Sequence, residues 1–226
     1  MQQKKVIIGL GTGRCGTQSL VSLLNQIPDV HIDHERFSVQ ATWLPSLTYF
    51  EKLCAYFETR PEKVVGDVSF YHLPYVYLFM ERYKHSKFIG LKRPKESTLA
   101  SYDKKTSGRN HFSYPNTHNE HRLWDEKYPK FYKRDKHTAM SDYYDLYYGQ
   151  MAYLEHLFPD QVKVFDMEQL NSKQGVRAIF SFLNVRYRHI DDHFINIRQN
   201  IAGETKTGFK PDHLTVFQRI FRKWSK

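Results

Sequence analysis

The sequence of residues 4–27, KKVIIGLGTGRCGTQSLVSLLNQI, decides the fold. A short apolar run leads into a glycine-dense turn, and apolar residues then recur at helical spacing from Thr17 onward, among them Leu20, Leu24 and Ile27. This order predicts a strand, a tight loop and a helix. Unpaired amides and the positive end of the helix dipole converge on such a loop and attract an anion. The stretch therefore predicts a phosphate-binding site.

The glycine loop, residues 11–16, fits more than one kind of phosphate ligand. A nucleoside triphosphatase P-loop needs Lys and then Ser or Thr after its last Gly, but Thr17 and Gln18 stand there, so this interpretation fails. The loop glycines also satisfy G-x-G-x-x-G. Asp33 ends the next apolar stretch, where a dinucleotide-binding fold places its ribose-binding acid. This second interpretation stays open from the residues alone.

A third interpretation comes from the loop and the start of its helix, GTGRCGTQSL. It resembles the 5′-phosphosulfate loop of sulfotransferases that use 3′-phosphoadenosine 5′-phosphosulfate (PAPS), in which Arg or Lys precedes x-Gly-Thr. The resemblance implies that Arg14 stabilises the leaving phosphate together with the amides of residues 16–18. It implies that Thr17 and Ser19 bind the 5′-phosphate. The cofactor-binding loop would then consist of Arg14, Cys15, Gly16, Thr17, Gln18 and Ser19.

A second element follows the predicted strand of residues 87–92. Pro94 suits the first turn of a helix, so Arg93 lies where the strand ends. Ser101 comes eight positions after Arg93 (101 − 93), a little over two helical turns, and faces roughly the same side. This Arg-Pro-x(6)-Ser-Tyr pattern resembles the 3′-phosphate element of sulfotransferases, and the resemblance implies that Arg93 and Ser101 clasp the 3′-phosphate of PAPS.

The rest of the chain alternates predicted strands and helices, which predicts an α/β fold with a parallel sheet. The resemblance implies a P-loop-like three-layer fold in which helices flank a central parallel sheet. The predicted strands are residues 30–33, 63–68, 87–92 and 162–165, and the predicted helices are residues 44–57, 74–83, 143–158 and 174–183.

Length and composition predict a single globular domain over residues 1–226. The chain is 40% hydrophobic, and it has neither an apolar run that would span a membrane nor a signal-peptide pattern, so we expect a cytoplasmic protein. Its formal net charge of +10 favours anionic partners without choosing among nucleotides, acidic glycans and nucleic acid. Cys15 and Cys54 form neither a disulfide framework nor a metal-binding spacing. We expect Cys15 to fill a tight turn.

Residues 103–137 are polar, basic and aromatic, and we expect a substrate-facing loop or lid. His111, His118 and His121 lie in this segment without cysteines or paired acids beside them, so we expect solvated histidines and no metal. A later Gly-bounded loop resembles the K-x-G loop that closes over the cofactor in sulfotransferases. The resemblance implies that Lys206, Thr207 and Gly208 bind PAPS.

The resemblance also implies a reaction, the transfer of a sulfuryl group from PAPS to a hydroxyl or amine without a metal. In the glycan and tyrosyl-protein sulfotransferases a Glu just after the second strand removes the acceptor proton, and Glu35 holds that place, with His34 as the second candidate. Heparan-type enzymes carry a Lys where Asp67 stands, so a heparan-like acceptor is not expected. A carbohydrate or a peptide is the expected acceptor, and nucleic acid is not an expected partner.

Two other functional classes stay open from the sequence. One is an NAD(P)-binding enzyme with a dinucleotide-binding fold, which accounts for the loop glycines and Asp33 but leaves Arg14, Arg93 and Ser101 without roles. The other is a noncatalytic module that binds nucleotides or nucleic acid, which the basic composition permits.

Overall fold

The computed structural model describes residues 4–106, 109–113, 122–132, 135–187 and 195, and the structural account concerns these residues. They contain one five-stranded, entirely parallel sheet with the strand order β2-β3-β1-β4-β5. The strands are β1 (Lys5–Leu10), β2 (Val30–His34), β3 (Val64–Val68), β4 (Lys87–Lys92) and β5 (Val162–Asp166).

The strand order separates two of the interpretations made from the sequence. Dinucleotide-binding and flavodoxin-like sheets place β2 directly beside β1. Here β3 lies between them, since Val6 pairs with Val65 and Ile32 pairs with Gly66. The order therefore does not fit the dinucleotide-binding interpretation, whereas the predicted three-layer α/β fold with a parallel central sheet is confirmed.

Helices cover both faces of the sheet because its strands alternate apolar side chains between the two faces. The helices are α1 (Thr17–Leu24), α2 (Leu47–Thr59), α3 (Val76–Arg82), α4 (Lys95–Thr106), α5 (Arg122–Asp125), α6 (Lys136–Leu157) and α7 (Lys173–Leu183). In β1, Val6 and Ile8 join the core formed with α2, α3, α4 and α6, while Ile7 joins the core formed with α1 and α7. No helix in the described ranges is both long and apolar enough to cross a membrane.

The largest difference from the sequence-based elements concerns α6, which begins at Lys136 rather than near residue 143. The Asp135 carboxylate caps it by accepting the Thr138 amide at 3.0 Å. The predicted loop of residues 103–137 is also interrupted by the last turn of α4 and by α5. Phe112 and Tyr128, within that segment, are buried in the core. Apolar spacing alone did not reveal the start of α6, because its first turn is polar.

The contact between β1 and β3 yields a stability prediction. A Cβ atom on Gly66 would lie 1.8 Å from the Ile7 carbonyl oxygen, so the two strands must separate to admit it. We expect Gly66→Ala to lower the free energy of unfolding by at least about 2 kcal/mol in urea titrations. Gly149→Ala is the matched control, since Gly149 is exposed on α6 and, among the described residues outside its own stretch of helix backbone, no atom lies within 4 Å of a new Cβ. It should raise stability by about 0.5–1 kcal/mol, and an equal loss in both variants would contradict the packing argument.

Candidate active site

The candidate site lies at the carboxyl edge of the sheet, where parallel strands end together. The glycine loop follows β1 there, and Arg93 follows β4. Arg14 Nε donates a hydrogen bond to Ser101 Oγ at 3.0 Å, and Arg93 Nη1 donates to the Arg14 carbonyl oxygen at 3.2 Å. The two elements predicted to bind separate phosphates are therefore in direct contact. Arg93 Nε also donates to Ser97 Oγ at 3.0 Å, a partner that the sequence did not single out.

The glycine loop turns through backbone conformations that favour glycine. Gly13 and Gly16 have φ values of 85° and 91°, in the left-handed region, and Arg14 between them has a φ of 59°. Gly16 is the N-cap of α1, with no side-chain cap and no acidic residue in the first turn. The positive end of the helix therefore keeps its charge, as an anion site requires.

Buried tyrosines of α6 tether the glycine loop. Tyr147 OH accepts the Gly11 amide at 2.9 Å, and Tyr143 OH donates to the Thr12 carbonyl oxygen at 3.2 Å. From α4, Tyr102 OH also donates to the Thr12 carbonyl oxygen. Because the Gly11 amide is engaged by tyrosine, the anion-facing donors belong to the part of the loop that follows it.

A second pair of α6 tyrosines, Tyr144 and Tyr148, directly follows Tyr143 and Tyr147 in the sequence and supports the end of β4. Tyr144 OH donates to the Arg93 carbonyl oxygen at 2.7 Å, and Tyr148 OH donates to the Leu91 carbonyl oxygen at the same distance. One helix thus holds both of the elements that the sequence predicts to bind phosphate. The signal in the sequence was the repeat DYYDLYY, residues 142–148, which places two adjacent tyrosines one helical turn apart.

Cys15 faces the core rather than the loop's outer surface. Its side chain is fully buried in the cluster under α1, and burial raises the pKa of its thiol to about 11. The thiol therefore stays protonated at neutral pH, and the predicted role as a small residue filling the turn fits this position.

His34 lies at the end of β2 and contacts the start of α1. Its Nε2 is 3.0 Å from Thr17 Oγ1, and burial lowers the pKa of the imidazole to about 4. The ring is therefore neutral at neutral pH. It orients the Thr17 hydroxyl at the helix terminus.

Glu35, the candidate base, has an unusual backbone and surroundings. Its φ is 55°, which costs energy for a residue with a side chain and persists only where the surrounding structure holds it. Burial raises the pKa of its carboxyl, and the positive charge of Lys127 acts in the opposite direction. Lys127 is only 3% exposed, and burial lowers the pKa of its ammonium while Glu35 opposes that shift. Lys127 is not among the residues predicted from the sequence, because nothing local distinguishes it from the other lysines of its segment.

Asp67 holds the turn that carries Glu35. Its fully buried carboxylate accepts the Arg36 amide at 3.0 Å through Oδ1 and the Ser69 hydroxyl at 2.5 Å through Oδ2. His72 Nε2 lies 3.4 Å from the same Oδ2 and 2.8 Å from Tyr49 OH. Asp67 is therefore a structural support of this turn.

Some of the residues predicted from the sequence lie outside the part of the chain that the structure describes. Lys206, Thr207 and Gly208 lie outside the described residues, as do His118 and His121. His111 is not solvated as expected, because it is 8% exposed and its Nδ1 is 2.7 Å from Asp125 Oδ1. In the described ranges, no three His, Cys, Asp or Glu side chains are grouped as metal ligands would be.

The Asp67 environment predicts a pH dependence of stability. Burial raises the pKa of its carboxyl from 3.8 to about 7, so between these pH values the folded protein binds one proton more than the unfolded chain. Stability therefore falls as pH rises through this window. Asp67→Asn cannot ionise, and we expect its free energy of unfolding to rise relative to wild type by up to about 1.4 kcal/mol per pH unit.

Urea titrations from pH 4 to pH 8 measure this difference. His72 and Glu35 are present in both proteins. Subtracting the wild-type free energy of unfolding from that of the variant at each pH therefore cancels their contributions. Asp160→Asn, at an exposed position, is the control and should follow the wild type. A constant difference between Asp67→Asn and wild type over this range would refute the proton linkage.

Solved structures with the same fold include sulfotransferases. A sulfotransferase from Alicyclobacillus acidocaldarius has a TM-score of 0.56 at 19% sequence identity, over 89% of this chain and 88% of that chain. The sulfotransferase domain from the curacin biosynthetic pathway has a TM-score of 0.53 at 15% identity, over 83% of this chain and 76% of that chain. A mouse sulfotransferase complexed with PAP has a TM-score of 0.49 at 14% identity, over 83% of this chain and 61% of that chain.

Comparison of the sequence with protein-family models gives no match, and comparison with curated proteins gives no significant match. The relationship is visible in the arrangement of strands and helices, at identities too low to transfer an activity. The chain has a sulfotransferase-like fold, as the resemblance of its sequence predicted.

Proposed function

We propose that this protein is a PAPS-dependent sulfotransferase that moves a sulfuryl group to a hydroxyl or amine of a carbohydrate or peptide acceptor. The observation that carries the proposal is the contact between the two phosphate elements, Arg14 with Ser101 and Arg93 with the Arg14 carbonyl. PAPS carries its 3′-phosphate and its 5′-phosphosulfate on one ribose. Elements that grip these two groups must therefore lie side by side.

The residues at the carboxyl edge fit such a ligand chemically. Arg14 and Arg93 supply two guanidinium groups, Ser101 supplies a hydroxyl, and α1 presents its positive end without an acidic residue in its first turn. Charged donors at a helix terminus are suited to phosphate and sulfate groups. We assign the 5′-phosphosulfate to the glycine loop with Thr17 and Ser19, and the 3′-phosphate to Arg93 and Ser101.

When bound, PAPS supplies the sulfuryl group and a phosphate leaving group. Arg14 and the amides of residues 16–18 stabilise the negative charge that develops on the leaving oxygen. His34 holds the Thr17 hydroxyl in place beside it. Lys206, Thr207 and Gly208 are proposed to close over the cofactor, as the sequence resemblance implies.

We assign proton removal from the acceptor to Glu35 rather than His34. The His34 ring already contacts Thr17, and its pKa of about 4 makes it a weak base. Burial raises the pKa of Glu35, which brings a carboxylate closer to the range useful for a general base. Glu35 directly follows His34, which ends β2 and contacts Thr17 at the start of α1. Glu35 therefore lies at the same edge of the sheet as the glycine loop.

Binding of the reaction product tests the assignment of the cofactor site. Adenosine 3′,5′-bisphosphate should bind in titration calorimetry with micromolar affinity, more tightly than NAD or ATP. Arg93→Ala should weaken this binding by about tenfold or more, because it removes charged hydrogen bonds. Ser101→Ala should weaken it less, since a neutral donor is lost.

Lys104→Ala is the matched control for lost charge, because Lys104 is exposed on the same helix as Ser101. It should bind the bisphosphate as the wild type does. The proposal is wrong if the wild type prefers NAD or ATP, or if Arg93→Ala leaves the affinity for the bisphosphate unchanged. Oligonucleotide binding that falls steeply with salt and survives Arg93→Ala would indicate a nucleic-acid module.

The role of Glu35 is tested by transfer of labelled sulfate from PAPS to a panel of sugar and tyrosine-containing peptide acceptors. Glu35→Gln should lower the transfer rate by about 10²-fold or more, with bisphosphate affinity unchanged, because it removes the base but not the cofactor contacts. Glu81→Gln, at an exposed position, should have no effect. Transfer by Glu35→Gln within a few-fold of the wild type would exclude Glu35 as the base.

A further inference from the structure

A second charged cavity lies at the opposite, amino edge of the sheet. It has a volume of about 450 Å³ and opens between the starts of β1, β4 and β5 and the end of α7. We call it the amino-edge cavity. Its lining residues are Lys4, Lys5, Lys84, His85, Ser86, Lys87, Asp160, Gln161 and Asn184.

The lysines of this cavity are held by main-chain oxygens. Lys5 Nζ donates to the Asn184 carbonyl oxygen at 2.8 Å, Lys4 Nζ donates to the Glu62 carbonyl oxygen at 2.7 Å, and Lys87 Nζ donates to that of Asp160. Neutral carbonyl groups fix the positions of ammonium groups without cancelling their charge. The cavity is therefore organised and positive.

Little negative charge opposes these lysines. Within the described part of the chain, no ion pair with a carboxylate is formed by the four lining lysines, Lys4, Lys5, Lys84 and Lys87. Asp160 is the single acidic residue among the described residues that line the cavity. Burial and the neighbouring charge of Lys87 both lower the pKa of Lys5. Two ammonium groups held this close repel each other, and a bound anion would relieve the repulsion.

Ser86 is an independent sign of a ligand. It is fully buried, it lines the cavity, and its hydroxyl has no hydrogen-bond partner among the residues that the structure describes. A buried hydroxyl without a partner is uncommon, because its desolvation is not compensated. A ligand oxygen in the cavity would compensate it.

We propose that the amino-edge cavity binds a small oxyanion of the phosphate type that carries at least two negative charges, with pyrophosphate as the probe of choice. The volume exceeds what one tetrahedral group needs, and the lysines come from the starts of β1 and β4 and from the segment between α3 and β4. The Ser86 hydroxyl, once its side chain rotates toward the cavity, donates to an anion oxygen, and Lys5, Lys84 and Lys87 balance the charge of the anion. This site is separate from the proposed cofactor site and does not depend on the sulfotransferase assignment.

Titration calorimetry with pyrophosphate at constant ionic strength tests this proposal on the full chain. The double variant Arg14→Ala and Arg93→Ala is used beside the wild type, because the glycine loop and Arg93 are both proposed to bind phosphate groups and pyrophosphate bound at the carboxyl edge must be recognised. We expect a binding event whose affinity is equal in these two proteins, and at least tenfold weakening of that event in the double variant Lys5→Gln and Lys87→Gln. Orthophosphate and sulfate arms show whether a single tetrahedral anion is sufficient.

The matched control is the double variant Lys104→Gln and Lys105→Gln, which removes the same charge from exposed positions on α4. It should bind pyrophosphate as the wild type does. Lys84→Glu alters an exposed residue and should also weaken binding, which keeps the test valid if the first double variant does not fold.

Three results would overturn the proposal. The first is no pyrophosphate binding by the wild type. The second is a loss of binding in the double variant Arg14→Ala and Arg93→Ala, which would place the anion at the carboxyl edge. The third is equal weakening in both lysine double variants, or binding of an oligonucleotide but not of pyrophosphate, either of which would show attraction by general charge.

Discussion

Hydrogen bonds from the tyrosines of α6 hold the candidate site together. Tyr143 and Tyr147 bind the glycine loop, while Tyr144 and Tyr148 bind the end of β4. A loop with several left-handed residues is costly to keep in one conformation unless its surroundings hold it. Tyrosine serves this purpose well, because its ring fills the core and its hydroxyl reaches the main chain. Burial raises the pKa values of these phenols, so the hydroxyl groups stay protonated.

The buried Asp67 carboxylate supports the part of the site that carries Glu35. Glu35 has a left-handed backbone conformation, and the amide of the next residue, Arg36, donates to the buried Asp67 carboxylate. Burial, together with the negative charges of Asp67 and Glu35, raises the pKa values of the Tyr49 and Tyr71 phenols. Burial also raises the pKa of the Glu35 carboxyl, and the positive charge of Lys127 opposes that shift. A buried charge is costly unless it is compensated. The carboxyl edge therefore brings together acids and bases from segments far apart in the chain.

The parallel sheet explains why charge gathers at both of its edges. All five strands run in one direction, so every strand begins at one edge and ends at the other. Loops at the carboxyl edge carry Arg14 and Arg93, while the strand starts at the amino edge carry Lys5 and Lys87. The two proposed anion sites are thus about one strand length apart.

The sequence by itself determined the local elements that carry the site. The glycine loop with α1 was predicted from its glycines and apolar spacing, and β4 with the start of α4 was predicted from an apolar run followed by Arg93 and Pro94. Only the tertiary structure decided the strand order, the tyrosine contacts and the burial of Lys127. Gly11 and Tyr147 are 136 positions apart, and Arg14 and Ser101 are 87 apart. Contacts over such separations depend on how the helices pack on the sheet, and local periodicity carries no information about that packing.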